Sequence, residues 1–364
     1  MDDPISAVTA EQPDRVYAGL AAGAALAWSG PRHMWVAVRP EVVREVLDDP
    51  SCLVRPSDAR VPPSLVDTRA GEIFGRLVRM TDGDDQARTK RAIVTALDSL
   101  DPAIVRAAAR GAAAMALADR RDDRFPYVVS AYALGRLFGV SDEDLPELAS
   151  LAGDFARCLN PIAGDHDVAA GVRAAERLWP VISGIVAGAE AGRLTMALNR
   201  SFEREGLAGD TLVANMIGFL FQAHDAVAGL IGNTVVHLSR TGDVWSGSLR
   251  DIVTEVAHSD PAIQNTRRFV ARDTVIAGRP VRAGDAILAV LAGVGQGADA
   301  CPFGHGRHAC PGAGIALMIA IEAVDALVRS GTAVAPAGSV TYRPSTNARI
   351  PELGYTPPRE LSKR

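Results

Sequence analysis

The chain has 364 residues, with 38 Lys and Arg against 43 Asp and Glu for a formal net charge of −5, and 48% of its residues are hydrophobic. This composition excludes a disordered chain, because the apolar residues are numerous enough to form a sizeable core. The slightly acidic balance disfavours a protein dedicated to nucleic acid, which would carry a basic surplus.

The N-terminal residues and the cysteines indicate a cytoplasmic protein. The first residues, MDDPISAVTAEQ, are acidic and polar and lack the charged-then-apolar pattern of a signal peptide. The most apolar stretches, such as residues 216–220 and 286–294, are far shorter than the ~20 residues needed to span a membrane. Four cysteines in a chain of this length do not make the disulfide framework of a small secreted domain. We therefore expect reduced thiols and no contact with a membrane.

Apolar residues at three- and four-residue spacing predict a series of helices, most of which have Asp, Ser or Pro near the start. In chain order, these helices span residues 40–49, 86–97, 102–118, 142–159, 168–191, 210–239 and 311–329. Strands are predicted at residues 34–38 and 286–290, and a hairpin around an Ala-Gly-Arg turn at residues 268–281. No repeat and no low-complexity linker interrupts the pattern. The sequence thus predicts a mostly α protein with a small β component, and one domain over residues 1–364.

The densest chemical signal lies in residues 301–314, CPFGHGRHACPGAG. Four glycines and two prolines predict a loop whose backbone closely approaches another group. An apolar helix follows at once, so Cys310 precedes a helix N-terminus, whose partial positive charge favours the thiolate. One interpretation is a turn with an inert, buried cysteine. A second is a zinc site, since Cys301, His305, His308 and Cys310 are suitable ligands, although structural zinc sites normally draw their ligand pairs from two segments.

A third interpretation rests on a resemblance. The loop matches the F-G-x-G-x-H-x-C-x-G haem loop of the cytochrome P450 family, soluble bacterial type, at Phe303, Gly304, Gly306, His308, Cys310 and Gly312. The resemblance implies a cytochrome P450-like fold that binds haem b, with the Cys310 thiolate as the axial iron ligand. It also implies that Phe303, Gly304 and Gly312 shape the loop around the sulfur, and that His308 contacts a haem propionate.

Three further residues correspond to positions that contact propionates in that family. Residues 82–93, DGDDQARTKRAI, resemble a segment that often reads D-P-P-E-H-x-x-x-R, with Gln86 and Lys90 at the His and Arg positions. Both could donate to a propionate, Gln86 by its amide and Lys90 by its charge. The alternative is a solvated basic stretch. Arg268 matches another propionate-binding arginine, and Arg267 is the competing assignment.

The long helix at about residues 210–239 resembles the family's central helix over the haem. FQAHDAVAGLIGN aligns with the A-G-x-D/E-T-T pattern, with Gln222 and Ala223 at the Ala-Gly positions. Asp225 keeps the acid, but Ala226 replaces the threonine that usually holds dioxygen and helps relay protons. His224 and Asp225 are both candidates for acid–base chemistry. Because adjacent helix residues lie about 100° apart, only one of them is expected to face the iron.

Two departures from the family pattern affect the region beneath the haem. Glu255 is followed three residues later by His258, where the family has the arginine of E-x-x-R. The family's N-R-D-P…F-x-x-x-R stretch is missing, because AILAVLAGVGQGADACPFG joins the last strand to the haem loop directly. Without that stretch the helix arginine would lose its partner, so a shorter polar residue becomes tolerable. We expect Glu255 and His258 to pair as i, i+3 neighbours.

The resemblance also predicts the substrate pocket, with walls at residues 62–77, 158–164, 219–223 and 262–266. Phe219 and Ala223 would supply apolar contacts, whereas Gln222, Asn265 and Thr266 can form hydrogen bonds. This mixture predicts a small polar substrate, such as an amino-acid-derived metabolite.

Three functions remain open at this point. The first is a haem-thiolate oxidase or monooxygenase of secondary metabolism, fed by a ferredoxin and ferredoxin reductase, with Asp225 on a water-assisted proton route. The second is a haem-thiolate enzyme that uses no external electrons and is either peroxide-driven or a Lewis-acid dehydratase or isomerase. Ala226, His258 and the shortened segment favour this second function. The third is a non-catalytic homologue that binds haem or substrate.

Overall fold

The computed structural model describes residues 3–119, 124–241, 248–293, 300–331, 333–335 and 340–356. In this part of the chain the helices are α1 (Pro13–Ala22), α2 (Pro40–Asp48), α3 (Arg69–Arg76), α4 (Asp84–Asp98), α5 (Pro102–Ala118), α6 (Phe125–Phe138), α7 (Leu145–Cys158), α8 (Asp165–Ala187), α9 (Arg193–Arg204), α10 (Gly209–Thr241), α11 (Leu249–Ser259) and α12 (Ala313–Ser330). The strands are β1 (Leu26–Ser29), β2 (Met34–Ala37), β3 (Cys52–Leu53), β4 (Asn265–Val270), β5 (Thr274–Ile276), β6 (Arg279–Val281), β7 (Ala286–Val290), β8 (Ala333–Ala335) and β9 (Gly354–Thr356). The prediction of a mostly α fold with a small β component is confirmed.

All seven predicted helices are present, and the largest differences lie at the ends of α7 and α8. Helix α7 begins at Leu145 rather than at residue 142, because Ser141 and Asp144 form a turn in which the serine hydroxyl donates to the Asp144 carboxylate over 2.7 Å. Helix α8 begins earlier, at Asp165, and ends at Ala187 before Gly188. Helices α1, α3, α6 and α9 were not predicted, whereas α11 was expected without bounds, as the helix that carries Glu255 and His258. Helix α6 is buried almost all round, so it lacks the polar face that marks a surface helix.

Helix α10 lies at the centre of the largest hydrophobic core. It packs against α6, α7, α8, α11 and α12, and Met216, Leu220 and Ile231 on it are fully buried. Gly229 allows the closest approach, since a Cβ there would lie 2.7 Å from the Arg349 carbonyl oxygen. The C-terminal segment therefore lies directly against the middle of α10.

The main sheet of the described residues has the strand order β1-β2-β7-β4-β3. Strands β2 and β7 are parallel, and the other neighbours are antiparallel. Helix α2 covers one face of the sheet through Val42, Val46 and Leu47. This arrangement brings α2 and β3 against the 301–314 loop.

The predicted hairpin is shorter than expected and excludes Arg268. Only β5 and β6 form it, around Ala277 and Gly278, whose φ values of 48° and 72° fit a two-residue hairpin turn. Arg268 instead lies in β4, opposite Ile287 of β7 in the main sheet. The prediction was wrong here because the β4 pattern runs on towards β5 without a clear break.

Candidate functional site

The 301–314 loop is shaped by its own backbone hydrogen bonds. The Cys310 amide donates to the Phe303 carbonyl oxygen over 2.7 Å, and the Gly304 amide donates to the Cys301 oxygen over 2.8 Å. Gly304 and Gly306 have φ values of 73° and 61°, in the left-handed region that favours glycine. These bonds hold Cys310 at the end of the loop, three residues before α12 begins at Ala313.

The Cys310 side chain stays accessible just before the start of α12. Its side chain is exposed, yet burial of the site raises the pKa of the thiol. The Gly312 amide, Lys90 and Arg79 act in the opposite direction and favour the thiolate. Burial thus outweighs the Gly312 amide and the two cations in its effect on the pKa of this thiol.

Two side chains of helix α4 donate hydrogen bonds to main-chain carbonyl oxygens of the 301–314 loop. The Gln86 side-chain amide donates to the Arg307 oxygen over 3.1 Å, and the Lys90 ammonium donates to the Ala309 oxygen. Burial lowers the pKa of Lys90. Both residues had been predicted as direct propionate donors. The structure brings them to the loop, where these two donor groups bond the backbone on either side of His308.

His308 is fixed by an acid from the turn before α4. Its Nε2 lies 3.0 Å from Asp82 Oδ1, and Asp82 also accepts a hydrogen bond from the Val54 amide over 3.0 Å. Burial lowers the pKa of His308, and Asp82 opposes that change. The histidine side chain is only 6% exposed. Its ring orientation is therefore set by Asp82.

Arg268 is a buried cation with an unsatisfied donor. The residue is 4% exposed, and its Nη1 donates to Thr266 Oγ1 over 3.2 Å and to the Arg267 oxygen over 2.9 Å. Its Nε is buried without a hydrogen-bond partner. Burial, together with the neighbouring Arg307, lowers its pKa to about 10. An arginine in this state needs an anion beside it. The competing Arg267 is less buried, and Arg32 is the charged group that most affects its pKa.

One face of α10 is open although the helix runs through the core. Between Leu212 and Val236 the residues that keep accessible area are Phe219, Gln222, Ala223, Asp225 and Ala226. Their spacing of three and four residues places Phe219, Gln222, Ala223 and Ala226 along one stripe of the helix. Phe219 and Ala223 adjoin the same core as Phe303 of the loop and Ile315 and Ala316 of α12. The predicted distal residues therefore lie on an accessible stripe of α10, and the region between this stripe, the 301–314 loop and the start of α12 is called the cleft below.

The first six residues of α12 are also apolar and yet accessible. Residues 313–318, AGIALM, are apolar apart from glycine, but none of them is buried, whereas Ile319 and Ala320 are. An apolar stretch directly after Cys310 that stays accessible indicates a further wall of the cleft.

His224 and Asp225 contact each other, and His224 packs on α6 and α7. His224 is 7% exposed, stacks on Tyr127 of α6 with ring centroids 5.0 Å apart, and lies against Gly153 of α7. Its Nδ1 is 2.8 Å from Asp225 Oδ1. The other Asp225 oxygen accepts from Arg343 Nη2 over 2.5 Å. His224 therefore contacts Asp225 from the side of α6 and α7.

Arg343 is a residue that sequence reasoning missed. It lies in the C-terminal segment, 118 residues after Asp225, and it also stacks over the Tyr127 ring at 5.4 Å. No local pattern marks it, since its partner comes from a distant helix.

Asn265 and Thr266, predicted to contact substrate, already have partners in the protein. Asn265 is 4% exposed, and its amide donates to the Thr346 oxygen over 3.0 Å. The Thr266 hydroxyl accepts from Arg268. The Gln222 amide donates to the Gly218 oxygen over 2.8 Å, which leaves its side-chain oxygen available on the open face. Of the three, Gln222 is the one on the cleft stripe.

Glu255 and His258 do not form the expected pair. His258 Nδ1 lies 2.8 Å from the Thr254 carbonyl oxygen, and Glu255 is exposed. A different ion pair lies at this end of α11, where Arg349 Nε donates to Asp260 Oδ1 over 2.8 Å. Arg349 is 2% exposed and also donates to main-chain oxygens near the N-terminus.

The two ends of the connection from β7 to the 301–314 loop are hydrogen-bonded to each other. Residues 294–299 of the shortened segment lie outside the described residues. The Cys301 amide donates to the Leu291 oxygen over 3.1 Å, so the chain on either side of that stretch is already in contact.

The zinc interpretation has no geometric support. In the described ranges, which include all four residues in question, no group of three or more His, Cys, Asp or Glu side chains is arranged to hold a metal ion. Cys301 packs in the core beneath the sheet, and His305 contacts Asp48. The four side chains therefore do not converge.

Comparisons with known proteins establish the fold. No family model matches the chain, and no curated protein matches it either. Among solved structures, CalO2 is 22% identical over 98% of both chains, with a TM-score of 0.78. Epothilone B-bound cytochrome P450epoK is 18% identical over 95% of this chain and 96% of its own, with a TM-score of 0.79. P450 RauA, in complex with a biosynthetic intermediate of aurachin RE, has the same identity, coverages and TM-score.

The chain has the cytochrome P450 fold. Identities this low establish architecture, and function has to be argued from the site. In the part of the chain that the structure describes, no helix is both long and apolar enough to cross a membrane.

Proposed function

We propose that the chain is a haem-thiolate enzyme, an oxidase or monooxygenase that binds haem b between α10 and the 301–314 loop. One observation carries the proposal: Cys310 keeps an accessible side chain at the end of a loop whose backbone is held on either side of His308 by the Gln86 amide and the Lys90 ammonium. The cytochrome P450 fold supports the same conclusion.

The residues of the cleft fit a haem group. Haem needs a thiolate or another axial donor, apolar walls, and donors or cations for its two propionates. Cys310 would be the axial ligand, and Phe219 and Ala223 on α10 would contact the ring. Arg268, whose Nε lacks a partner, and His308 would hold propionates. Gln86, Lys90, Phe303, Gly304 and Gly312 would act through the loop, since they contact or form its backbone.

Haem held in this way would supply iron for the oxidation of a substrate bound in the cleft. The Cys310 thiolate would donate electron density to that iron. The stripe formed by Phe219, Gln222, Ala223 and Ala226 would exclude water and orient the substrate, with the Gln222 side-chain oxygen as a hydrogen-bond acceptor.

Protons would reach the cleft with the help of Asp225. Burial raises the pKa of this carboxyl, but His224 and Arg343 lower it by more, so the net direction is downward. Asp225 is therefore a carboxylate near neutral pH and does not store a proton. Ala226 has no hydroxyl to relay one. A water molecule between Asp225 and the cleft would have to carry the proton.

The substrate that fits best is a small, polar or amino-acid-derived metabolite of secondary metabolism. Gln222 gives the cleft one polar position among apolar ones. P450epoK was solved with epothilone B and RauA with a biosynthetic intermediate, which supports a biosynthetic role. A ferredoxin and ferredoxin reductase would supply electrons.

The experiment is a comparison of turnover in two regimes. Purified protein is given a panel of amino-acid-derived compounds with a ferredoxin, its reductase and NADPH, or with hydrogen peroxide alone. NADPH consumption that depends on both the compound and intact Cys310 would support the oxidase. A Cys310→Ser variant is the control. A haem spectrum with no product in either regime would contradict an enzymatic function.

A second candidate is a haem-thiolate enzyme that uses no external electrons. The observation that favours it is the combination of Ala226 with an Asp225 whose two oxygens are both engaged, by His224 and by Arg343. This arrangement is a poor proton relay for oxygen activation, whereas peroxide or a Lewis-acid reaction needs less proton delivery. Product formed with peroxide, or without any oxidant, and no NADPH consumption would favour this candidate.

A further inference from the structure

The Arg307 side chain binds the main chain at the end of α2. Its Nη1 donates to the Leu47 oxygen over 3.4 Å and to the Asp48 oxygen over 3.2 Å. Its Nη2 donates to the Asp49 oxygen over 3.0 Å and to the Cys52 oxygen over 2.7 Å. The last carbonyl groups of a helix lack donors within that helix. One side chain therefore supplies donors to four carbonyl groups between the last turn of α2 and β3.

Arg307 occupies a position that the haem-loop pattern leaves open. It is the x between the second glycine and the histidine of F-G-x-G-x-H-x-C-x-G, so the pattern gives no reason for an arginine there. The Arg307 Nε lies 3.6 Å from Asp82 Oδ1, the same oxygen that His308 Nε2 contacts at 3.0 Å. The acid that orients the histidine therefore also neutralises part of the arginine charge.

The backbone between Arg307 and Cys310 is itself hydrogen-bonded. Residues Gly306–His308 form a single 3-10 turn, and the Ala309 amide donates back to the Gly306 oxygen over 3.0 Å. The Cys310 amide has its own acceptor in the loop, as described above. A bond made by the Arg307 side chain is thus only three residues, all of them in bonded backbone, away from the sulfur.

Contacts on two sides hold this part of the loop. On the side of α2, a Cβ at Gly306 would lie 2.4 Å from Asp48 Oδ1, so the loop lies close against the end of the helix. On the side of α4, the Gln86 and Lys90 side chains donate to the carbonyl oxygens of residues 307 and 309. The α4 contacts use side chains of the helix, whereas the bonds to α2 come from the Arg307 side chain of the loop.

We propose that Arg307 is a positioning residue for Cys310. By donating to the carbonyl groups at the end of α2 and in β3, it fixes the backbone that leads to the cysteine and so holds the sulfur in one place. The fixed fork of the guanidinium suits several acceptors at once, whereas a lysine offers a point charge. As a statement about an iron ligand, the inference rests on the proposed function, but as a statement about the loop it does not.

The experiment measures the loop by hydrogen exchange and the ligand by absorption. Exchange is followed in the purified full-length protein for peptides that cover residues 301–314 and, as a reference, residues 212–236 of α10. The haem-loaded protein is then reduced under carbon monoxide, and the share of the red-shifted Soret band is measured. The variants are Arg307→Gln, Arg307→Lys and the matched control Arg272→Gln. Arg272 donates to Ser51 Oγ over 2.9 Å, so it bonds the same connection between α2 and β3 from outside the loop.

Arg307→Gln should speed exchange in residues 301–314 by about tenfold or more, the change expected from loss of one charged hydrogen bond. Exchange in residues 212–236 should stay as in the wild type. In the haem-loaded variant, part of the Soret band should move to the ordinary position, because the sulfur is no longer held at the iron. Arg307→Lys should restore part of both properties, and Arg272→Gln should match the wild type.

The proposal is overturned if Arg307→Gln leaves exchange in residues 301–314 unchanged, or if residues 212–236 accelerate equally, because the loss is then global. It is also overturned if the red-shifted share stays at a high wild-type value, or if Arg307→Lys restores both properties fully, because charge alone would then suffice. Should Arg307→Gln fail to fold, Arg307→Lys against the wild type decides the same two comparisons. Failure of the proposed function has a different signature, a wild type without a red-shifted band, and exchange alone then decides whether Arg307 holds the loop.

Discussion

Arg343 donates a hydrogen bond from Nη2 to Asp225 Oδ2 over 2.5 Å and thereby ties the C-terminal segment to the middle of α10. Both side chains are 27% exposed, so the pair is partly shielded from water. In the family that the sequence resembles, the acid at this position belongs to an acid–threonine pair. Here Ala226 follows it, and the acid is held by an arginine and a histidine. The arrangement fixes the shape of the cleft wall at Asp225.

Arg343→Gln should raise the pKa of Asp225 and destabilise the protein by about 1–3 kcal/mol at neutral pH, as expected for loss of a charged hydrogen bond. The folded-state pKa of Asp225 is lowered, so the stabilisation exists above the ordinary aspartate pKa of 3.8 and is lost as pH falls through the folded value. Urea denaturation at several pH values measures this. Arg343→Lys should retain part of the effect. A difference between wild type and Arg343→Gln that stays constant into acid would contradict the account.

Ala226→Thr should restore the hydroxyl that the proton route lacks. If the protein is the proposed oxidase, product formed per NADPH consumed should rise towards one, because positioned proton transfer contributes about 10²-fold or more. Ala226→Val is the matched control, because valine has the shape of threonine without its hydroxyl. An equal gain with valine would mean that bulk, and not proton transfer, limits turnover.

The sequence predicts the residues of the candidate site that belong to local motifs, but not the residues that contact them from distant parts of the chain. The 301–314 loop, the open α10 residues and Arg268 are recognisable because short motifs and helical spacing are local properties. Arg343 and Asp82 are not, since each acts through a contact with a residue more than a hundred positions away. The expected Glu255–His258 pair failed for a related reason: His258 bonds to the Thr254 carbonyl of its own helix, an option that residue types alone do not reveal.

Arg268→Gln should accelerate the loss of haem, if haem is bound as proposed, because the replacement cannot neutralise a buried propionate. About a tenfold faster transfer to apomyoglobin is expected from the loss of one charged hydrogen bond. Arg267→Gln is the matched neighbour, and its transfer rate should stay close to that of the wild type. Equal acceleration by both variants would show that the strand, and not the Arg268 charge, is responsible.

Arg349→Met should destabilise the protein by about 1–3 kcal/mol, because the partly exposed Asp260 carboxylate loses a charged hydrogen bond. Burial already raises the pKa of Asp260, so the unpaired acid should protonate more readily and the deficit should shrink as pH falls. Adding Asp260→Asn should recover part of the loss. The control Arg329→Gln breaks an exposed pair with Asp325 and should cost less than about 1 kcal/mol. Thermal and urea unfolding of the four proteins check this.

The central claim is that Cys310 is the thiolate ligand of a haem iron. Its most direct test is the absorption spectrum of the purified, haem-loaded protein, first ferric and then reduced under carbon monoxide, beside a Cys310→Ser variant. The account predicts a strongly red-shifted Soret band in the wild type that is absent from the variant. A Soret band at the ordinary position in the wild type, or one that Cys310→Ser leaves unchanged, would contradict it.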